Sequence, residues 1–262
     1  MTTQPLSPLT MLLSRHTRRR DFVSLVAAAA VASPFSARAQ QPAKIPRIGI
    51  IDESPIWNAF RQALRDLGHF EGENIAFEYR YAGGLPDRLA WVAAELVRRP
   101  VDLIATFGTP ATRAAKEATK TIPIVMMNIG DPVGAGLVES LARPGGNITG
   151  NTTLGSDVAG KRLQLLKEVI PSLSRIAFLW NPDNASHPAQ LAELQNAAGA
   201  LGMTLLPVAV RAPDEFDDSF AKIVSEHPGA FPMTADALHQ ISIVRIIDFL
   251  NDNRLPGMFL SR

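Results

Sequence analysis

The 262-residue chain has no cysteine, which excludes disulfides, thiolate-bound zinc and a thiol nucleophile. An excess of either charge is also lacking: 26 Lys and Arg stand against 25 Asp and Glu. The balance is uneven along the chain, because the first 39 residues hold five arginines and only Asp21. The remaining 21 basic and 24 acidic residues leave a net charge of −3, without the basic footprint of a nucleic-acid binder. No apolar run reaches the roughly 20 residues that a membrane-spanning helix needs. Catalytic signatures are absent too. His69, His187, His227 and His239 show no HExxH or other zinc spacing, and no G-x-S-x-G elbow occurs. Gly83-Gly84 lacks the Lys-Ser/Thr of a phosphate loop, and Gly134-Ala135-Gly136 opens no dinucleotide fingerprint. Metal, cofactor and catalytic residues are therefore not expected. What is present, 46% hydrophobic residues with 19% charged, describes a globular chain of one large domain or two lobes.

The amino terminus has the order of an export signal. Arg15 to Arg20 form a positive cluster, Phe22 to Phe35 an apolar stretch of 14 residues, and Ala37-Arg38-Ala39 a small-residue cleavage site. Arg19-Arg20-Asp21-Phe22-Val23 resembles the twin-arginine motif, with Arg18 where Ser or Thr is usual. Residues 1–39 therefore read as a twin-arginine-type signal peptide, with Met1 or Met11 as the start, and an uncleaved anchor as the alternative.

From Arg47 onward strands and helices alternate. Ile48 to Ile51 is an apolar run, and Ser54-Pro55 suits the start of a helix that carries Ile56, Phe60, Ala63, Leu64 and Leu67 at helical spacing. Asn74–Tyr81, Val101–Phe107 and Ile122–Met127 read as strands, with helices lined by Leu89 to Val97 and over Pro110–Lys120 between them. Arg143-Pro144-Gly145-Gly146-Asn147 breaks the pattern, and Ile148-Thr149-Gly150 reads as a short crossover strand. Helices at 157–170, 187–201, 214–226 and 236–252 then alternate with strands Arg175–Trp180, Met203–Val210 and Ala230–Met233, ending at Met258–Leu260. Consecutive βα units build parallel sheets covered by helices. The expected fold is α/β, two doubly wound parallel-sheet lobes joined by a hinge, with an amino-terminal lobe at 45–146 and the crossover and second lobe at 147–262.

Ligands of such sheets gather where strand carboxyl ends meet helix amino ends. Gly108 and Thr109 stand at one such junction, where Gly108 permits close approach and the helix N–H groups favour a carboxylate; Thr109-Pro110 also fits an ordinary cap. Ser54 holds the same place after the first strand, and Asp131 follows the fourth. Asn181 and Asp183 end one strand of the second lobe, and Thr234 and Asp236 follow another. All six also suit turns and caps. Trp57 offers a stacking face or plain packing.

Gly108-Thr109-Pro110-Ala111, Thr121-Ile122-Pro123-Ile124-Val125, Asp131-Pro132-Val133, Arg143 to Gly150, Lys161-Arg162-Leu163 and Asn181-Pro182-Asp183-Asn184 occur in that order. Together with the signal they make residues 18–262 resemble the bacterial ABC-transporter substrate-binding proteins of the tryptophan/tyrosine-binding type. The resemblance implies a type I periplasmic-binding fold, a periplasmic, non-enzymatic solute receptor, and an ABC permease with its ATPase as partners. It also implies an incomplete second lobe, since members of that group continue past the strand at Met258–Leu260. The ligand expected is a small, carboxylate-bearing, amino-acid-like solute. Its carboxylate would meet Gly108 and Thr109, its ammonium Asp131 or Asp236, while Asn181 and Asp183 engage on closure. An exported α/β enzyme, an extracytoplasmic sensor module and a fragment without function are the alternatives.

The signal reading predicts a mature chain beginning at Gln40. Replacing Arg19 and Arg20 by Lys should hold the precursor in the cytoplasm, measured by fractionation and intact mass; unchanged export would remove the twin-arginine route.

Overall fold

A computed structural model describes residues 44–51 and 56–259, so residues 1–39, read above as a signal peptide, and Ser54 lie outside the described residues. The apolar runs become parallel strands. Ile48, Ile50 and Ile51 of β1 (Arg47–Ile51) and Ile104 and Ala105 of β3 (Leu103–Phe107) are buried, as parallel strands covered on both faces must be. With β2 (Ala76–Arg80), β4 (Ile124–Ile129) and β5 (Ile148–Thr152) they form a sheet of order β2-β1-β3-β4-β5. The connecting helices are α1 (Ile56–Asp66), α2 (Pro86–Val97) and α3 (Thr109–Ala118). Pro86 sits in the first turn of α2, where its missing N–H is harmless, and Val92, Ala93 and Leu96 are its buried residues. The buried alanines of α3 (Ala111, Ala114 and Ala115) join the same core.

The second sheet follows α4 (Gly155–Val169). It contains β6 (Arg175–Trp180), β7 (Thr204–Ala209), β8 (Phe231–Pro232) and β9 (Gly257–Met258). β6 pairs with β7 from Arg175–Thr204 to Trp180–Ala209, and β8 with β9. Ala177 N–H donates to the Ala230 carbonyl at 3.0 Å and Gly229 N–H to that of Arg175 at 2.8 Å, joining β6 to the β8 side. The resulting order, β7-β6-β8-β9, repeats the β2-β1-β3-β4 of the first sheet, a repeat invisible in the residues themselves. Helices α5 (His187–Ala200), α6 (Phe216–Ser225), α7 (Ala237–Ile241) and α8 (Ile243–Asp252) accompany it. Four strands are described here against five in the first sheet.

Three elements differ from the sequence reading. The expected crossover strand is β5, hydrogen-bonded to β4 as an edge of the first sheet, before the chain turns through Leu154 (φ 48°) into α4. The expected helix over 236–252 is broken at Ser242 into α7 and α8. Asp236 anchors the start of α7, while α8 must bury Ile246, Phe249 and Leu250, with Phe249 stacked on Phe220 at 4.0 Å between centroids. The break lets both demands be met. Asn74 closes a turn rather than opening β2: its Oδ1 accepts from Phe70 N–H and its Nδ2 donates to the Gly68 carbonyl.

Arg162 of α4 secures the ends of both short strands, donating to the Met233 carbonyl at 2.9 Å and the Met258 carbonyl at 2.8 Å. Charge-assisted bonds of this kind contribute about 1.5–3 kcal/mol each, so Arg162→Ala should lower unfolding free energy by roughly 2–4 kcal/mol in a denaturant titration. A loss below about 0.5 kcal/mol, the level of an ordinary surface change, would show that β8 and β9 hold without it.

Candidate functional site

The carboxyl ends of both sheets open onto one cleft of about 650 Å³, within the range of small-molecule sites. Phe107 of β3, Met127 and Asn128 of β4 and Asn151 to Thr153 line one wall. Met233 to Ala235 after β8, Gln240 of α7, Ile243 and Ile247 of α8 and Phe259 line the other. Ile56 at the start of α1 completes the apolar lining. No ionisable side chain is among the described residues that line it. Its polar groups are hydroxyls and carboxamides. A shallower groove of about 690 Å³ between α6 and α8, lined by Asp217, Arg245, Asp248 and Asp252, lies away from the strand ends.

The carboxamides have a definite arrangement. Asn128 adopts φ 58° where the pairing of β4 with β5 loses register between Met126 and Ile129. Its N–H, turned out of the ladder, donates to Asn151 Oδ1 at 2.9 Å. Thr152 Oγ1 donates to the Ile129 carbonyl at 2.7 Å and accepts from Leu154 N–H, so its proton and one lone pair serve to shape the turn.

Beneath the second wall lies a buried polar cluster. Asp236 caps α7, accepting from Leu238 N–H at 2.8 Å and His239 N–H at 3.4 Å. It also accepts from Asn184 Nδ2 at 2.8 Å and Asn181 Nδ2 at 3.4 Å. His187 and His239 stack with centroids 6.0 Å apart, and His239 Nδ1 meets Thr234 Oγ1 at 3.0 Å. Burial works against the Asp236 charge, but His239, His187, the Asn184 amide and Leu238 N–H together hold its carboxyl below the usual range. Burial lowers His187, although Asp236 opposes it, and pushes His239 down to about 4.

The structure distributes the sequence candidates unevenly. Of the eight, Thr234 lines the cleft, while Asn181 and Asp236 join the buried cluster below. Gly108 and Thr109 do stand at the amino end of α3, but the second lobe covers them. Thr109 Oγ1 bonds Ser186 Oγ at 2.9 Å, and a Cβ on Gly108 (φ 81°) would stand 3.2 Å from that of Ala237. Asp131 accepts from Gly134 N–H with its carboxylate and donates its own N–H to Ser186, and is not among the cleft-lining residues. Asp183 is an exposed turn residue whose N–H donates to Asn181 Oδ1. Ser54 is outside the described residues. Trp57 is buried against Phe60, with ring centroids 5.6 Å apart, as a packing residue. Sequence reasoning missed Asn151 and Gln240. Asn128, at the end of β4, was within reach of the strand-end rule. No group of three His, Asp or Glu side chains suited to a metal occurs among the described residues.

Two sheets of matching order, closing on a cleft between their strand ends, define the type I periplasmic-binding fold. Residues 54–259 match the profile described as ABC transporter substrate binding protein, and the chain belongs to that family. The family is one of solute-binding, extracytoplasmic proteins rather than enzymes. The tyrosine-binding protein of Clostridioides difficile strain R20291 is 30% identical over 197 residues, 75% of this chain; the chain spans 56% of that relative's length. The crystal structure of a conserved domain protein from Vibrio cholerae superposes with TM-score 0.72 at 27% identity, covering 82% of this chain and 73% of that one. The L-Trp complex of an ABC domain from Streptococcus pneumonia (TM-score 0.69, 23% identity, 81% and 72% covered) shares the fold.

The buried histidine gives a pH dependence. His239 is near its ordinary 6.5 when unfolded and about 4 when folded, so between those values the unfolded chain binds the extra proton. Stability is therefore full above about 6.5 and falls by ~3 kcal/mol toward pH 4. Asp236, also held below its usual value, adds further acid lability at lower pH. Denaturant midpoints from pH 7 to 4 should fall in the parent and much less in His239→Gln; equal slopes would refute the assignment.

Proposed function

We propose that the protein is a periplasmic solute receptor of an ABC uptake system, closing its two lobes on a small amino-acid-like ligand that carries a carboxylate. The carrying observation is the cleft itself. Apolar side chains (Phe107, Met127, Met233, Ile243, Ile247 and Phe259) surround it, and carboxamides at Asn128, Asn151 and Gln240 supply hydrogen bonds. Such a lining suits a ligand with an apolar or aromatic body and a polar end, held by neutral dipoles rather than transformed by acids and bases. The names of the tyrosine-binding relative and the L-Trp complex support the same ligand class. Export by the twin-arginine route would deliver the receptor to a membrane permease and its ATPase.

Closure is supported by contacts between the lobes. Ser186 joins Thr109 and Asp131 across them, so ligand binding should shift an open–closed population toward the closed form. Calorimetric titration with L-tyrosine, L-tryptophan, other amino acids and their amides tests the reading. Saturable binding at one site without product is expected. Silence across the whole panel, or turnover of any member, would overturn it.

A further inference from the structure

We propose that the carboxamides of Asn128 and Asn151 are the point in the cleft that receives the ligand's carboxylate, in place of the amino end of α3. This rests on the amino-acid-like reading and assigns its orientation. A backbone N–H can only donate, so the 2.9 Å bond from Asn128 N–H fixes the acceptor atom of Asn151 as Oδ1. Asn151 Nδ2 then carries two N–H donors with no protein partner among the described residues. The same bond holds Asn128 at φ 58°, a left-handed conformation that asparagine tolerates better than most residues. The side chain of Asn128 also lines the cleft and makes no hydrogen bond to another described residue. One wall thus offers the two N–H donors of Asn151 Nδ2 and, from the neighbouring Asn128, a carboxamide free to turn its own donors to a ligand.

The opposite wall has the opposite character. Thr234 Oγ1 donates its single proton to the Leu179 carbonyl at 3.4 Å, and the neutral His239 ring, in the tautomer with the proton on Nδ1, donates to Oγ1 at 3.0 Å. With that proton directed inward and one lone pair engaged by His239, Oγ1 can offer a ligand in the cleft only a lone pair, which suits an ammonium and not a carboxylate. The earlier candidate for the carboxylate is closed off. Gly108 N–H is committed to the Met127 carbonyl at 2.9 Å, Thr109 Oγ1 is committed to Ser186, and Ala237 abuts Gly108.

Paired titrations with L-tyrosine and tyramine, which keeps the ring and ammonium but lacks the carboxylate, test the subsite. The parent should prefer L-tyrosine by about 10-fold or more, the scale of a charge-assisted hydrogen bond. Asn151→Asp keeps an oxygen for Asn128 N–H but turns the donor into a negative oxygen, so the preference should collapse by about 10-fold or invert. Asn128→Gly preserves the backbone conformation, removes one amide, and should weaken L-tyrosine while sparing tyramine; it carries the test if Asn151→Asp does not fold. A parent without preference, or a ratio unchanged in the folded variants, overturns the subsite alone. Where another panel amino acid binds better, it and its decarboxylated amine replace the pair with the same expectations; failure of every amino acid of the panel to bind the parent removes the solute reading and the subsite together.

Discussion

The buried carboxylate of Asp236 is the interaction on which the second lobe's working surface depends. A charge so deep is tolerated only when N–H donors surround it, and Leu238, His239, Asn184 and Asn181 provide them. Each donor fixes a different piece of chain. Leu238 and His239 set the start of α7 and hence the place of Gln240 in the cleft. Asn181 and Asn184 hold the turn after β6, and through it Ser186, which reaches across to Thr109 and Asp131. Removing that one carboxylate would loosen both the ligand-facing helix and the contact between lobes.

The approach of the lobes relies on small residues at the strand ends. Gly108 leaves room for Ala237, and Gly130 for Ser186 and Gln190: a Cβ on Gly130 would collide with Gln190 Nε2 and stand 3.1 Å from Ser186 Cβ. The Gly130 carbonyl also accepts from Gly155 N–H at 3.0 Å, drawing the end of β4 toward the first turn of α4. Side chains at these points would hold the sheets apart and open the cleft to water. Partial shielding from solvent is what would let its apolar walls and uncharged amides act as recognition groups in the proposed receptor.

Much of the architecture was legible in the residues. Apolar runs of four to six residues alternating with amphipathic stretches can bury themselves only as parallel strands under helices. The rule that ligands sit beyond strand carboxyl ends pointed to the right end of both sheets, and Thr234 was recognised by it. The same rule also selected Gly108 and Thr109, because it cannot see that another lobe covers them. Asp131 and Asp236 illustrate a second limit. A carboxylate before a helix or turn looks the same in sequence whether it faces a ligand or caps its own chain.

By itself, the sequence determined the βα alternation and the ordered motifs of a solute-binding family, since each is written in neighbouring residues. Tertiary structure alone decided which side chains line the cleft. Asn151 lies on an edge strand whose fate as β5 depends on β4, 20 and more residues away, and only the lost register there brings it to Asn128. Gln240 faces the cleft because a helix that local periodicity would continue is broken at Ser242 to satisfy two separate packing partners. Hydrophobic periodicity records which face of an element is buried, but what it is buried against is a property of the assembled lobes.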